Sequence, residues 1–432
     1  MEKQPFLTQP TSVTGKSKDF PATCYPPIKK IVEKERSDCP IYGIYCWGID
    51  YPVYRDAIKG IGFKNIRTGG TPFTDEHFAM IAEDGLDVMM TGGSSRGKYG
   101  SDEEFLAGNI AHMDERLTRF GPNGTFFKDH PEIPYRPIRY YEVYNEPNFG
   151  YMVPNNTPME EKVRLYSLLQ VGVYKAVKEM HPEVKVVGFG AGGASAADMG
   201  FVAQCLKHEP ELIHTMDVFS THPYVDPNPP YAYSSWLPDF NIAFGHKRLR
   251  GMLDSMGGEE IPMWYTELGW MIPPSEGGRF DTCHHGVNLM EHAAYNVQVY
   301  LLGLRLGVER ITTMYIMDTD NCNPGFVNYD GSWRPAAYAV KNLIDILPDP
   351  KLLGVIYDGE DYRRFAYRIE SEVGGEEVIV AFTAKYPEVI DIPWEGAEAK
   401  LTDMMGTTKV VPVTDGVLHV EAGIYPVYIR KV

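Results

Sequence analysis

No apolar run in the 432-residue chain is long enough to cross a membrane, and the most apolar stretch of its second half is interrupted by Arg305. The opening residues, MEKQPFLTQPTSVTGK, lack the apolar core of a secretory leader. The expectation is a soluble chain, cytoplasmic by default, and periplasmic or secreted if a leader has been removed. Cysteine is scarce. Cys24, Cys39, Cys46, Cys205, Cys283 and Cys322 form no CxxC pair and show no metal-like spacing, which excludes a zinc site or a disulfide scaffold and leaves reduced thiols. The pair His284-His285 has no further ligand at metal spacing and reads as loop. Basic residues are the minority, 41 against 58 acidic, and the formal charge of -17 repels phosphate backbones and anionic lipid heads. Neither nucleic acid nor a membrane surface is an expected partner. There is no internal repeat, no low-complexity tract and no signal for an oligomeric state.

What is present is enough apolar material for a sizeable core, 44% of residues, in a chain too long for one small domain. The 28 tyrosines offer flat faces with hydrogen-bonding tips, which suits a ligand that has both faces and hydroxyls. Residues 1–40, rich in Pro, Thr, Ser and Lys, read as an extended arm. From Ile41 onward, short apolar runs alternate with stretches of helical period. The runs are IYGIYCWG, KNIRTGG, LDVMMTGG, IRYYEVYNEP, VKVVGFGAGG, MDVFSTHPY, IPMWYTELGW and RITTMYIMDTD. Eight strand-helix units predict an α/β fold, a TIM (β/α)8 barrel over 41–350. Between strands four and five, Thr157, Pro158 and Glu160 mark a helix start as cap, first-turn proline and capping-box acid. A last barrel helix is expected from Pro335 to about Ile346. After the LPDP that ends it, the period changes to two, in EEVIVAFTA, TTKVVPV and GVLHVEAGIYPVYIRKV, predicting a small C-terminal β-sandwich domain over 351–432.

In such a barrel the chemistry sits at the C-terminal ends of the strands. Strand four ends Tyr144-Asn145-Glu146-Pro147 and strand seven ends Thr266-Glu267-Leu268-Gly269-Trp270, so two carboxylates share one rim. Glycoside hydrolysis needs such a pair: one protonates the departing oxygen, and the other attacks the anomeric carbon or activates water. Pro147 is expected to hold Glu146 in extended geometry. Asn145 is suited to hydrogen-bond a sugar 2-hydroxyl. Trp47 and Trp270 are candidate platforms for a sugar ring, and Tyr231, Tyr233 and Trp236 candidate cleft walls. Asp318 is expected to cap the segment that follows it rather than bind hydroxyls, and Arg96 and Lys98 to be solvated rather than to recognise an acidic sugar.

These segments resemble those of clan A glycoside hydrolases, retaining TIM-barrel glycosidases with the acid/base on strand four and the nucleophile on strand seven. Asn145-Glu146-Pro147 resembles the clan's Asn-Glu-Pro, and Thr266-Glu267 with Gly269-Trp270 resembles its nucleophile segment. Family 39, with its xylosidases, iduronidases and exopolysaccharide hydrolases, is the most similar. The resemblance implies Glu146 as general acid/base and Glu267 as nucleophile, with carboxyl groups roughly 5–5.5 Å apart. It further implies that Arg67 holds the nucleophile ionised, that His222 and Tyr224 order the carboxylates, that the substrate is a carbohydrate, and that no metal or cofactor is needed. A metal-dependent barrel hydrolase would want His-x-His on strand one, where Trp47-Gly48-Ile49 stands. Two rivals differ in class. One is a non-catalytic carbohydrate-binding protein on the same scaffold. The other is a nucleotide-dependent oxidoreductase using Gly188, Gly190 and Gly193, a G-x-G-x-x-G that comes four strands too late for a dinucleotide fold.

Overall fold

A computed structural model describes residues 4–14, 41–69, 73–193, 196–231, 241–279, 286–319, 322–359, 364–372 and 374–432. Most of the expected arm, along with Tyr233, Trp236 and His284-His285, lies outside the described residues. Strands β1 (Tyr42–Tyr45), β2 (Asn65–Gly69), β3 (Asp87–Gly92), β4 (Tyr140–Val143), β5 (Lys185–Gly192), β6 (Val218–His222), β7 (Met263–Leu268) and β8 (Ile311–Thr313) form a closed parallel barrel. They stand in sequence order, and β8 returns to pair with β1 through Tyr42↔Ile311 and Ile44↔Thr313. Strands covered on both faces need apolar residues at nearly every position, and this is why the eight runs were visible in the sequence.

Helices α1 (Tyr51–Ile61), α2 (Asp75–Glu83), α3 (Asp102–Phe120), α4 (Phe126–Asp129), α5 (Met159–Met180), α6 (Ala196–His208), α7 (Ile242–Asp254), α8 (Leu289–Leu306) and α9 (Pro335–Ile346) follow the strands. No described helix is long and apolar enough to cross a membrane. The start of α5 departs from expectation: Pro158 occupies the cap position and no side chain caps the helix. Glu160 and Glu161 in the first turn face the positive end of the helix dipole instead. A capping box does form at α8, between Asn288 and Glu291.

The C-terminal region comprises β9 (Lys351–Asp358), β10 (Arg364–Glu370), β11 (Glu377–Thr383), β12 (Glu388–Pro393), β13 (Glu398–Thr402), β14 (Thr408–Pro412), β15 (Val417–Ala422) and β16 (Val427–Arg430). Six of these form an antiparallel sheet ordered β14-β13-β16-β11-β10-β9, and β12 pairs with β15. The period-two pattern sorts the two faces of the sheet. Ala366, Ile379, Ala381, Val427 and Ile429 pack against Ile390, Ile392, Leu418 and Val420 of the strand pair, whereas Phe365, Tyr367, Phe382 and Tyr428 belong to the barrel's core. Helix α8 lies between the two regions. Its Arg305, buried within the apolar run, forms an ion pair with Asp358 of β9, and Gln298 Nε2 donates to Ile424 O at 2.7 Å. Residues near the N-terminus run along the same seam. Leu7 N–H donates to Asp403 Oδ2 at 2.8 Å, Gln9 bonds the Tyr425 backbone in both directions, and Thr14 N–H donates to Glu291 Oε1.

Two buried histidines give this packing an acid limit. His246 on α7 meets the Tyr265 hydroxyl at 3.0 Å, and His292 on α8 meets Pro324 O at 3.1 Å. Burial pushes each imidazole down to about 3, helped by Arg250 for His246 and Arg334 for His292. Both stay neutral in the fold, while the unfolded chain takes up their protons below the usual histidine value of about 6.5. Their stabilisation is therefore complete above that pH and is lost as pH falls towards 3, at up to about 1.4 kcal/mol per unit per histidine. Urea midpoints measured from pH 7 to pH 4 should fall, and a His292→Gln variant should show a shallower fall.

Candidate active site

The two rim carboxylates come together through irregular backbone. At the end of β4 the chain turns sharply, with Tyr144 at φ 73° and Glu146 at φ 47°. Glu146 is therefore left-handed, not extended as its proline neighbour led us to expect. Its N–H donates to Gly190 O at 2.9 Å and its carbonyl accepts from Phe149 N–H, a turn that outweighs the local preference and stores strain of roughly 1–3 kcal/mol. On β5 the register shifts between Gly188 and Ala191, and on β7 between Tyr265 and Leu268. Such bulges re-aim side chains beside active sites. On β7 the irregularity lets two consecutive residues, Thr266 and Glu267, both bond to groups inside the barrel.

Glu267, nearly buried, has both oxygens held. Arg67 Nη1 donates to Oε2 at 2.8 Å, and the Tyr224 hydroxyl donates to Oε1 at 2.7 Å. Burial, with Glu267 and Glu146 close by, pushes the Tyr224 phenol well above its ordinary value, so it stays protonated and donates. Arg67 is fully buried. Burial opposes its charge, but Glu142 and Glu267 outweigh that and hold the guanidinium protonated. Its Nη2 also donates to Asn145 Oδ1 at 2.7 Å, which leaves the Asn145 amide N–H groups as the donors available to the cavity. Glu146 Oε1 lies 2.9 Å from His222 Nδ1, and His222 Nε2 lies 3.1 Å from Thr266 Oγ1. One oxygen of Glu146, one of Glu267 and one nitrogen of His222 lie within 4.8 Å of one another. An ion would need such convergence, but here both Glu267 oxygens already accept, from a guanidinium and a phenol, and the guanidinium supplies the positive charge.

A cavity of about 1050 Å³ opens over this group. That is the upper end of the volumes typical of small-molecule sites, roughly 300–1,000 Å³. Glu146, Glu267 and Asn145 line it, and Tyr45, Trp47 and Tyr315 form an aromatic wall. Trp47 stacks on Tyr315 with centroids 4.9 Å apart.

Glu146, Glu267, Arg67, Asn145, His222, Tyr224 and Trp47 are thus brought together. Trp270 is not among them: its ring is buried against Tyr295 of α8, and its indole N–H donates to Asn228 O at 2.7 Å. The segment after β7 folds inward there, so this tryptophan serves the core. Tyr231 is likewise no cleft wall, since it wedges against Phe365 and Phe382 of the C-terminal sheet. Asp318 lines the cavity, but it is held by both Arg334 nitrogens at 2.7 Å and by Gly325 N–H. Arg96 is paired with Asp102 at 2.7 Å, while Lys98 lines the cavity.

The glycines of β5 have a different purpose from the dinucleotide fingerprint. Gly190 N–H donates to Ser220 Oγ, Gly192 N–H to Asn148 Oδ1 and Gly193 N–H to His222 O, so none of these is left to cradle a pyrophosphate. They admit the site to the barrel wall. Gly190 sits at φ 48°, and a Cβ on Gly192 would stand 2.7 Å from Glu146 Oε1. Sequence reasoning missed Glu142, a carboxylate in the middle of a buried strand run, whose position was itself a signal. It also missed Tyr315 and Tyr151, cavity aromatics that no spacing distinguishes from core.

No protein-family model matches the sequence, and no curated protein matches it. Solved structures do share its fold. A family 39 glycoside hydrolase from the gut symbiont Bacteroides cellulosilyticus WH2 is 20% identical, aligns over 91% of this chain and 81% of its own, and has a TM-score of 0.68. A monomeric β-xylosidase from Caulobacter crescentus CB15 is 14% identical over 92% of this chain and 98% of its own, with a TM-score of 0.56. A glucosidase from Croceicoccus marinus is 12% identical over 95% and 98%, with a TM-score of 0.59. At these identities the likeness is one of fold, a TIM barrel joined to a C-terminal β domain.

Proposed function

We propose that the protein is a retaining glycoside hydrolase that cleaves β-glycosidic bonds of an oligo- or polysaccharide by double displacement. The observation that carries this reading is the placing of Glu146 and Glu267 at the ends of β4 and β7, with carboxylate oxygens within 4.8 Å of each other. So close an approach supports the roughly 5–5.5 Å carboxyl separation of retaining enzymes over the roughly 6.5–9.5 Å across which inverting enzymes hold a water. The environments also divide the roles. Glu267, beside a permanent cation and a phenol donor, is suited to act as a carboxylate nucleophile, and Glu146, beside His222, to exchange a proton.

In the first step a Glu267 oxygen bonds to the anomeric carbon while the glycosidic C–O bond breaks, and the departing oxygen takes the proton of Glu146. In the second step Glu146 removes a proton from water, the water oxygen bonds to the anomeric carbon, and the ester to Glu267 breaks. Asn145 N–H groups offer donors to the sugar hydroxyls, and the Trp47–Tyr315 wall offers an apolar face to the ring. The likeness to a β-xylosidase and a glucosidase supports β-xylosides and β-glucosides as the first substrates to test. Proton NMR of the first-formed sugar from an aryl β-glycoside should show the β-anomer. An α-anomer would replace retention by inversion, and binding without turnover would favour a carbohydrate-binding protein.

A further inference from the structure

Glu142 takes no part in the two steps above, yet it is fully buried in the barrel and bonded towards both glutamates. Arg67 gives it two nitrogens, Nε at 2.8 Å and Nη2 at 2.5 Å, against the single nitrogen it gives Glu267. The Ser220 hydroxyl donates to Glu142 Oε1 at 3.2 Å, and Thr266 and His222 lie near enough to help lower the same carboxyl. Thr266 Oγ1 is in turn the partner of His222 Nε2, whose other nitrogen meets Glu146. One carboxylate therefore shares Arg67 with Glu267 and lies beside Thr266 and His222, the pair that leads to Glu146. Gly190, left-handed at φ 48°, is what makes the space, since a Cβ there would stand 3.3 Å from the Glu142 carboxyl.

We propose that Glu142 is a positioning residue that divides the charge of Arg67 between two carboxylates and couples the ionisation of Glu267 to that of Glu146. This rests on the glycosidase reading of the site. A guanidinium serving one anion would neutralise Glu267 and blunt it as a nucleophile, whereas one shared with Glu142 orients Glu267 and leaves its negative charge less compensated. The charged and titratable groups facing Glu142 are Arg67 from β2, His222 from β6 and Glu267 from β7, with Tyr45 of β1 and Tyr166 of α5 as buried phenols. Glu267 also faces Tyr224, Tyr315 and Tyr151, and Glu146 faces His222, Tyr224 and Tyr151. Burial acts to raise the Glu142 carboxyl, but Arg67 and His222 outweigh it and hold it below the usual carboxylate range. It is an anion at neutral pH.

The test is the pH profile of kcat/KM for a phenyl β-glycoside, whose poor leaving group needs the Glu146 proton, in the wild type, Glu142→Gln, Glu142→Asp and Thr266→Val. Removing the Glu142 charge should move both limbs of the bell to lower pH by about one unit, because each neighbouring carboxyl loses a like charge. Glu142→Asp keeps the charge and should keep both limbs near the wild-type positions even if its rate is lower. Thr266→Val cuts only the link to His222 and should move the alkaline limb alone, so it decides the matter if Glu142→Gln fails to fold. A folded Glu142→Gln or a Thr266→Val variant with both limbs unmoved would reduce Glu142 to a structural ion pair and overturn the proposal. Wild-type inactivity would count against the glycosidase reading instead. In that event, titrating the 13C-labelled glutamate carboxyls by NMR still tests the coupling, with unmoved curves for Glu146 and Glu267 in Glu142→Gln as the refuting result.

Discussion

Glu267→Ala is expected to abolish formation of the glycosyl-enzyme for every substrate, lowering kcat by about 10⁴-fold or more, equivalent to about 5 kcal/mol of barrier. No other group in the site occupies the attacking position, because Arg67 has no lone pair to offer and the Tyr224 phenol, kept protonated by burial, is a poor nucleophile. The loss should be uniform across leaving groups. An activated dinitrophenyl glycoside needs no protonation to depart, but it still needs a nucleophile. Stopped-flow measurement of phenolate release would therefore show no burst. Azide entering the vacated side should give, if anything, the product of inverted configuration.

Glu146→Ala should behave differently. General acid catalysis contributes roughly 10²–10⁴-fold, and the loss should concentrate on substrates with poor leaving groups. A dinitrophenyl glycoside should still react with Glu267, after which the covalent intermediate should accumulate, because the group that deprotonates water is also gone. A burst of one equivalent followed by slow turnover is the expected trace. Azide should restore turnover and yield the β-glycosyl azide, since an anion needs no general base. An inverted glycosyl azide from the Glu146 variant, with a retained one from the Glu267 variant, would exchange the two roles.

Much of the architecture could be read from the chain because buried parallel strands leave a plain mark. IYGIYCWG and VKVVGFGAGG are apolar without alternation, and the change to alternation after LPDP marks the C-terminal sheets. The rim residues Arg67, Asn145, Glu146, His222, Tyr224 and Glu267 were legible for the related reason that strand ends are fixed points of the barrel. Side chains whose direction is set by the path of a loop were not. Trp270 lies three residues past Glu267, and whether it faces the cavity or Tyr295 depends on a loop path set by packing. Tyr231 was lost to the seam with Phe365, a contact between segments far apart in sequence. Glu146 is left-handed because Gly190 on the neighbouring strand accepts its N–H, a long-range bond that no local preference foretells. Glu142 stood in view, but its meaning depends on Arg67 reaching it across the barrel.

The central claim is that Glu267 bonds covalently to the sugar. It is tested most directly by treating the wild-type protein with dinitrophenyl 2-deoxy-2-fluoro-β-glycosides of xylose and glucose, then digesting it and mapping the modified peptide by mass spectrometry. Fluorine at C2 slows both steps, while the activated leaving group lets the first proceed, so the intermediate is trapped. The predicted result is one fluoroglycosyl group per chain on Glu267, with release of one equivalent of dinitrophenolate. An adduct on Glu146, or turnover of the parent glycosides without any adduct, would contradict the account.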